Sequence, residues 1–195
     1  MQRIDGHIID TDLLTPNGWI LDAGCRGFTL KKELGDNYKY LCLDPDPLII
    51  APHDVIFENK ALMSYDGKTG YCGWSTGEGN YCYKNEAVHY AETDIEVECV
   101  TISSLMKKHN IPIFDLAKID IEGSEYDLLY FGVGHAFAKQ VSVEFHDGCG
   151  HNHHGTHEDY ISKLRKSHFG SLYKIVDYYE YPDMKGMYEY LFKLR

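Results

Sequence analysis

The 195-residue sequence predicts an α/β fold built on a mainly parallel sheet, and three observations carry that prediction. Short apolar runs of strand length recur from residue 19 to residue 145, and four of them end in or just before a carboxylate. Segments with helical spacing lie between these runs, and strands alternating with helices build a parallel sheet. The last 23 positions read differently: YKIVDYYEY (173–181) and GMYEYLFKL (186–194) are alternating, aromatic-rich strands around Pro182 and Asp183, the pattern of an antiparallel hairpin.

In chain order, the strand-like runs are WILD (19–22), YKYLCLD (38–44), DVIFENKAL (54–62), IEVECVTI (95–102), FDLAKIDI (114–121) and KQVSVEF (139–145). Helices are expected over FTLKKEL (28–34), SSLMKKH (103–109), SEYDLLYFG (124–132) and HEDYISKLRKSHFG (157–170), with Ser103 and Ser124 as N-caps. The Gly- and Tyr-rich stretch from Tyr65 to Tyr90 keeps neither period and reads as a loop or short hairpin excursion, of the kind that can cover a site. No repeat divides the chain, and residues 1–195 are expected to form one domain.

Composition narrows the function. With 19 basic and 30 acidic residues the net charge is −11, which disfavours diffuse attraction to nucleic acid phosphates and points to a small acceptor molecule. The basic run KLRKSH (163–168) reads as the solvated face of a helix. Six scattered cysteines without a C-x-x-C pair are expected to be reduced, no apolar run reaches the length of a membrane span, and MQRIDGHIID lacks the apolar core of a signal peptide. The expectation is a cytoplasmic protein with no membrane or nucleic acid partner.

WILDAGCRGFTL (19–30) runs an apolar strand into Asp22-x-Gly24-Cys25-x-Gly27. Ligands of open α/β sheets bind beyond the carboxyl ends of the strands, and glycines there let a backbone approach them closely. A dinucleotide fingerprint would begin with glycine where Asp22 stands; a carboxylate there repels a pyrophosphate and suits a cation. Asp44 ends the next strand 22 residues on (44 − 22), where a carboxylate can accept both hydroxyls of a ribose. Together these residues describe a site for a cationic nucleoside, S-adenosyl-L-methionine being the obvious one.

The segment LAKIDIEGSEYDLL (116–129) closely resembles the K-x-D-x-E-G-x-E signature of FkbM-type methyltransferases. Other pieces of the family's pattern follow the same order: Asp22, Gly24 and Gly27, then Asp44, then Asn59-Lys60-Ala61-Leu62, then Lys118, Asp120, Glu122, Gly123 and Glu125, then Glu144 and His146. The resemblance covers Trp19 to His146 and departs at Cys25-Arg26, where Ala-Asn is usual. It implies a Rossmann-like class I methyltransferase fold, a mainly parallel seven-stranded sheet with a C-terminal antiparallel hairpin, that uses S-adenosyl-L-methionine. Asp22, Gly24, Cys25, Gly27, Asp44, Ala61, Leu62 and Asp120 would hold the cofactor, and His146, Glu144, Asp120 and Glu122 would serve catalysis, with methyl transfer to a hydroxyl of a small molecule or sugar. The alternative is a methyltransferase-fold module that binds without catalysing.

Read from the residues themselves, Asp120 and Glu122 are two apart and would point the same way from a strand end, while Glu125 would sit in the first turn of the following helix. His146, at a strand end, has the chemistry to take a hydroxyl proton or to serve as a structural hydrogen-bond partner. EFHDGCGHNHHGTH (144–157) is dense in imidazoles, yet its spacing fits no closed zinc frame. Oxygen ligation of magnesium by Asp120, Glu144 and Asp147 is a further variant. The expectation is that no metal is required.

Overall fold

The computed structural model describes residues 1–72, 81–83, 95–146, 156–184 and 186–195. Its centre is a seven-stranded sheet. Strands β3 (Trp19–Ala23), β4 (Lys39–Leu43), β5 (Ile56–Glu58), β10 (Phe114–Ile119) and β11 (Ala138–His146) are parallel, and β12 (Tyr173–Glu180) and β13 (Met187–Leu194) complete it. The spatial order is β12-β13-β11-β10-β3-β4-β5, with β13 antiparallel to both neighbours. From β3 the chain steps outward to β4 and β5, then returns to lay β10 and β11 on the other side of β3. The order therefore reverses between β3 and β10, the point where open α/β sheets leave a crevice.

Adjacent side chains in the inner strands explain why these runs are almost wholly apolar. Leu21, Leu41, Leu43, Ala117, Val141 and Val143 belong to one buried cluster, while Ile20, Tyr40, Cys42 and Leu116 belong to another. A parallel sheet covered on both faces needs apolar residues at both parities. The first face is covered by α2 (Ile102–His109), α3 (Glu125–Phe131), α4 (His157–Lys166) and α5 (His168–Leu172), which contribute Leu105, Leu128, Ile161, Leu164 and Phe169. The second receives Leu30 of α1 (Thr29–Leu34), Phe28, and Ile4 and Ile9 of a hairpin at the start of the chain.

That hairpin, β1 (Gln2–Ile4) and β2 (His7–Ile9), is absent from the sequence expectation although Asp5-Gly6 signals it. Both residues have positive φ, 52° and 80°, as a two-residue turn of that kind requires.

Several expected boundaries change. DVIFENKAL is two strands in two sheets: β5 joins the main sheet, whereas β6 (Ala61–Leu62) pairs with β9 (Ile95–Val100). β9 is thus excluded from the main sheet and forms a second one, β6-β9-β7-β8, with β7 (Gly67–Cys72) and β8 (Tyr81–Tyr83). The hairpin reading of 65–90 matches the antiparallel pairing of β7 and β8; the rest of that excursion lies outside the described residues. Thr101, not Ser103, caps α2, accepting from the Ser104 amide at 3.1 Å. Ser124 precedes α3 without a side-chain cap bond. The single helix expected over 157–170 breaks at Ser167, whose extended backbone (ψ 176°) separates α4 from α5.

Candidate active site

The carboxyl ends of β3, β4 and β10 meet at the reversal and border a cleft of about 280 Å³. Its floor is backbone. Gly24 follows β3 with φ +77°, and a Cβ there would lie 1.8 Å from the Asp120 carbonyl oxygen, so no other residue fits without moving one strand end. Apolar wall is supplied by Leu43, Leu62, Ile121 and Tyr71.

Asp44 stands one residue past β4 and faces the cleft. Its Oδ1 accepts the Asp46 amide at 3.0 Å, and its carbonyl accepts Asn59 Nδ2 at 2.9 Å, which ties the end of β4 to the turn between β5 and β6. Burial to 8% exposure pushes its carboxyl up to about 6.

Lys118 is the centre of the opposite wall. Its side chain is buried, and Nζ donates to the Gly24 carbonyl at 2.7 Å while lying 3.3 Å from Asp120 Oδ2 and 3.5 Å from Asp22 Oδ1. Burial alone would favour the neutral amine; the carboxylates of Asp120, Asp22 and Asp5 outweigh it and hold the ammonium charged. Asp22 is itself buried, with its carboxyl raised by that burial and neither oxygen hydrogen-bonded among the described residues. Asp22 therefore answers Lys118 and does not line the cleft. Cys25 and Gly27 do not line it either: Cys25 packs in the second core cluster, its neighbour Cys42 and then burial raise its thiol, and Gly27 (φ 79°) shapes the turn into α1. Gly24, Asp44, Ala61, Leu62 and Asp120 do line it, as does Glu122.

Glu144 and His146, at the end of β11, gather beside Asp120 and Glu122. His146 Nε2 lies 3.5 Å from Glu122 Oε2, 3.8 Å from Asp120 Oδ1 and 3.9 Å from Glu144 Oε1. Its Nδ1 lies 3.2 Å from Glu125 Oε1, and Glu125, fully buried at the first position of α3, also accepts the amides of Ile121 and Gly123. Burial opposes charge on the ring, but the Glu125 contact and the surrounding carboxylates raise His146 to about 10. The ring is thus fixed with Nδ1 on Glu125 and Nε2 directed at three carboxylates. Burial and Asp120 push Glu144 up to about 7. The strand-alternation reason for pairing Asp120 with Glu122 fails, because β10 ends at Ile119 and Glu122 has a left-handed backbone (φ 54°); that turn, not a pleat, brings the two together.

Sequence reasoning missed Asp5, Arg26 and Lys60 in the cleft wall and the site role of Lys118. Asp5 comes from the β1–β2 turn, whose Asp-Gly pair signals a hairpin but not its place at the cleft. His157 proves structural: it is buried, stacked 3.6 Å from the Tyr188 ring, with Tyr126 Oη 2.7 Å from Nδ1. Asp147, Cys149, His151, His153 and His154 lie outside the described residues.

A crevice of this shape at a reversal of strand order defines the Rossmann-like enzymes that hold a nucleoside cofactor. Over residues 37–171 the chain matches the Methyltransferase FkbM domain, and it belongs to that family. Methyltransferases of this kind use S-adenosyl-L-methionine. Among solved structures it is similar to the Methanococcus jannaschii fibrillarin pre-rRNA processing protein, at 10% identity and a TM-score of 0.57, covering 97% of this chain and 70% of that one. A Clostridium thermocellum protein described as an rRNA methylase aligns at 8% identity and a TM-score of 0.45, over 93% and 88% of the two chains. The fibrillarin likeness shows the fold alone. No curated protein matches the chain.

Proposed function

We propose that this protein transfers a methyl group from S-adenosyl-L-methionine to a hydroxyl oxygen of a small molecule or sugar. The observation that carries the reading is the placing, around one cleft, of Asp44 past the end of β4 and of Asp120 and Glu122 past the end of β10, the latter two lying against His146. The residues fit the cofactor: Gly24 lets the ends of β3 and β10 close on each other so that backbone borders the cleft, Asp44 can accept ribose hydroxyls, Leu43, Leu62 and Tyr71 offer apolar surface, and the carboxylates of Asp44, Asp120 and Glu122 suit a cationic ligand.

When bound, S-adenosyl-L-methionine supplies an electrophilic methyl group on a sulfonium. The chain's part is to align the acceptor and exclude water, with proton transfer needed only for a weakly acidic hydroxyl. In this proposal Glu144, Asp120 and Glu122 orient the acceptor hydroxyl, Glu144 being the carboxylate able to take its proton near neutrality, and His146, fixed through Nδ1 on Glu125, keeps its ring among those carboxylates. With a net charge of −11, an uncharged acceptor suits the surface better than a polyanion.

Calorimetry with S-adenosylhomocysteine, followed by a labelled-methyl survey of small hydroxyl acceptors, tests this. Saturable 1:1 binding with label recovered in an acceptor is expected. Undetectable binding to the folded protein would remove the reading, and binding without transfer to any acceptor would leave a ligand-binding module.

A further inference from the structure

We infer that the histidine–carboxylate cluster at the ends of β2, β10 and β11 is a binding site for one first-row divalent cation of the manganese-to-zinc group. Two overlapping sets of donors share Asp120: His7, Asp120 and Glu144 in one, Asp120, Glu122 and His146 in the other. Within each set the donor atoms lie within 4.8 Å of one another. Donors that share an ion at about 2.0–2.2 Å stand roughly 3–4 Å apart. The separations of 3.5, 3.8 and 3.9 Å from His146 Nε2 to three different carboxylates have that spacing, and they are too long for hydrogen bonds.

The independent observation is the way the two imidazoles are held. His7 is 1% exposed and His146 5% exposed, and each presents Nδ1 to a fully buried glutamate at 3.2 Å, Glu189 for His7 and Glu125 for His146. Both glutamates are fixed in turn: Ser142 Oγ and the Ile8 amide donate to Glu189 Oε1, and two turn amides donate to Glu125. A buried carboxylate on one ring nitrogen, leaving the other directed at oxygen donors, is the arrangement by which proteins orient metal-ligating histidines. Nε2 of neither ring makes a hydrogen bond among the described residues. Mixed imidazole and carboxylate donors select manganese, iron or zinc over magnesium or calcium, whose sites are built of oxygen.

The site stands on donor geometry and does not require methyl transfer. Its use in orienting an acceptor oxygen rests on the proposed function.

Manganese(II) is the probe, followed by electron paramagnetic resonance and calorimetry on metal-stripped full-length protein. The background is His151→Ala, His153→Ala, His154→Ala, so that these imidazoles contribute nothing. Binding of one equivalent is expected, weakened at least tenfold by the isosteric Glu144→Gln and by His146→Ala. S-adenosylhomocysteine binding is measured on each variant to verify the fold. No saturable binding in that triple-substituted background, or binding unchanged by Glu144→Gln, overturns the inference. Manganese binding without S-adenosylhomocysteine binding would sink the proposed function and leave the cation site, and the reverse pattern would do the opposite.

Discussion

A carboxylate at a strand end, screened from water but open to a ligand, changes its proton affinity before it changes anything else. Asp44 is such a group: burial holds it near 6, so the ionised form, the one that would accept two hydroxyls in the proposed function, is depleted in mild acid. Affinity for S-adenosylhomocysteine should fall about tenfold between pH 7 and pH 5, because ionisation drops to roughly a tenth one unit below the pKa. Asp44→Asn should weaken binding by about 1.5–3 kcal/mol at pH 7 and flatten that pH profile. Titration calorimetry at four pH values checks both, and an unchanged slope in the variant would assign the pH dependence elsewhere. For the unliganded fold the sign is opposite. A folded-state pKa above the unfolded value contributes stability that is complete below about 4 and is lost as pH rises through 6. Asp44, Asp120 and Glu144 were legible because an acid closing an apolar run can be read locally. Asp5 and His7 were not, since the Asp5-Gly6 turn signal says nothing of where the hairpin packs, and the partner Glu189 lies 182 residues away from His7.

Between elements, one hydroxyl holds the start of β11 to the start of β12. Tyr173 Oη accepts the amides of Phe137 at 2.9 Å and Ala138 at 3.0 Å and donates to the Ala138 carbonyl at 3.0 Å, all in the core. Tyr173→Phe keeps the ring against Phe169 and strands these groups, so a loss of about 1–3 kcal/mol is expected in urea denaturation. A loss under about 0.5 kcal/mol would mean that water or a backbone shift replaces the hydroxyl. The elements themselves were mostly legible, and the errors share a cause. Asn59-Lys60 looks like the middle of a strand because both flanks are apolar, but Asn59 Nδ2 bonds to two carbonyls, of Asp44 and Asp46, and turns the chain. Ser167 fits a helix by pattern, yet its side chain caps the next one by accepting the Gly170 amide. Short polar side chains that compete with the backbone decide such breaks, and periodicity does not register them.

Across the whole molecule, Lys118 joins the two halves that flank the reversal of strand order. It reaches from β10 to the carbonyl after β3 and sits between Asp22 and Asp120. Lys118→Met keeps much of the volume but leaves buried Asp22 without its counter-charge. A destabilisation of about 3–5 kcal/mol is expected, the range for breaking a buried ion pair from one side. Thermal melts of Lys118→Met and of the double variant with Asp22→Asn test this: the second substitution should recover part of the loss. Additive losses would show that the two residues do not interact. The parallel class of the sheet and its C-terminal hairpin were readable from pattern. The exclusion of β9 was not, because Ile95–Val100 has ordinary strand chemistry and only its partners β6 and β7 place it in the smaller sheet.

The bond from Lys118 to the Gly24 carbonyl spans 94 residues of chain. Closing so long a loop carries an entropic penalty that contacts near in sequence avoid, and parallel pairing across it is slow for the same reason. During synthesis, strand β3 emerges before β10 and waits for it, with its carboxyl end unable to present a finished floor to any nucleoside. The glycine turn is therefore inert on a nascent or interrupted chain, and ligand capture marks the moment at which both sides of the sheet have closed on each other. Refolding monitored by nucleoside binding should lag behind refolding monitored by helix content, so the cofactor pocket is a reporter of completed assembly.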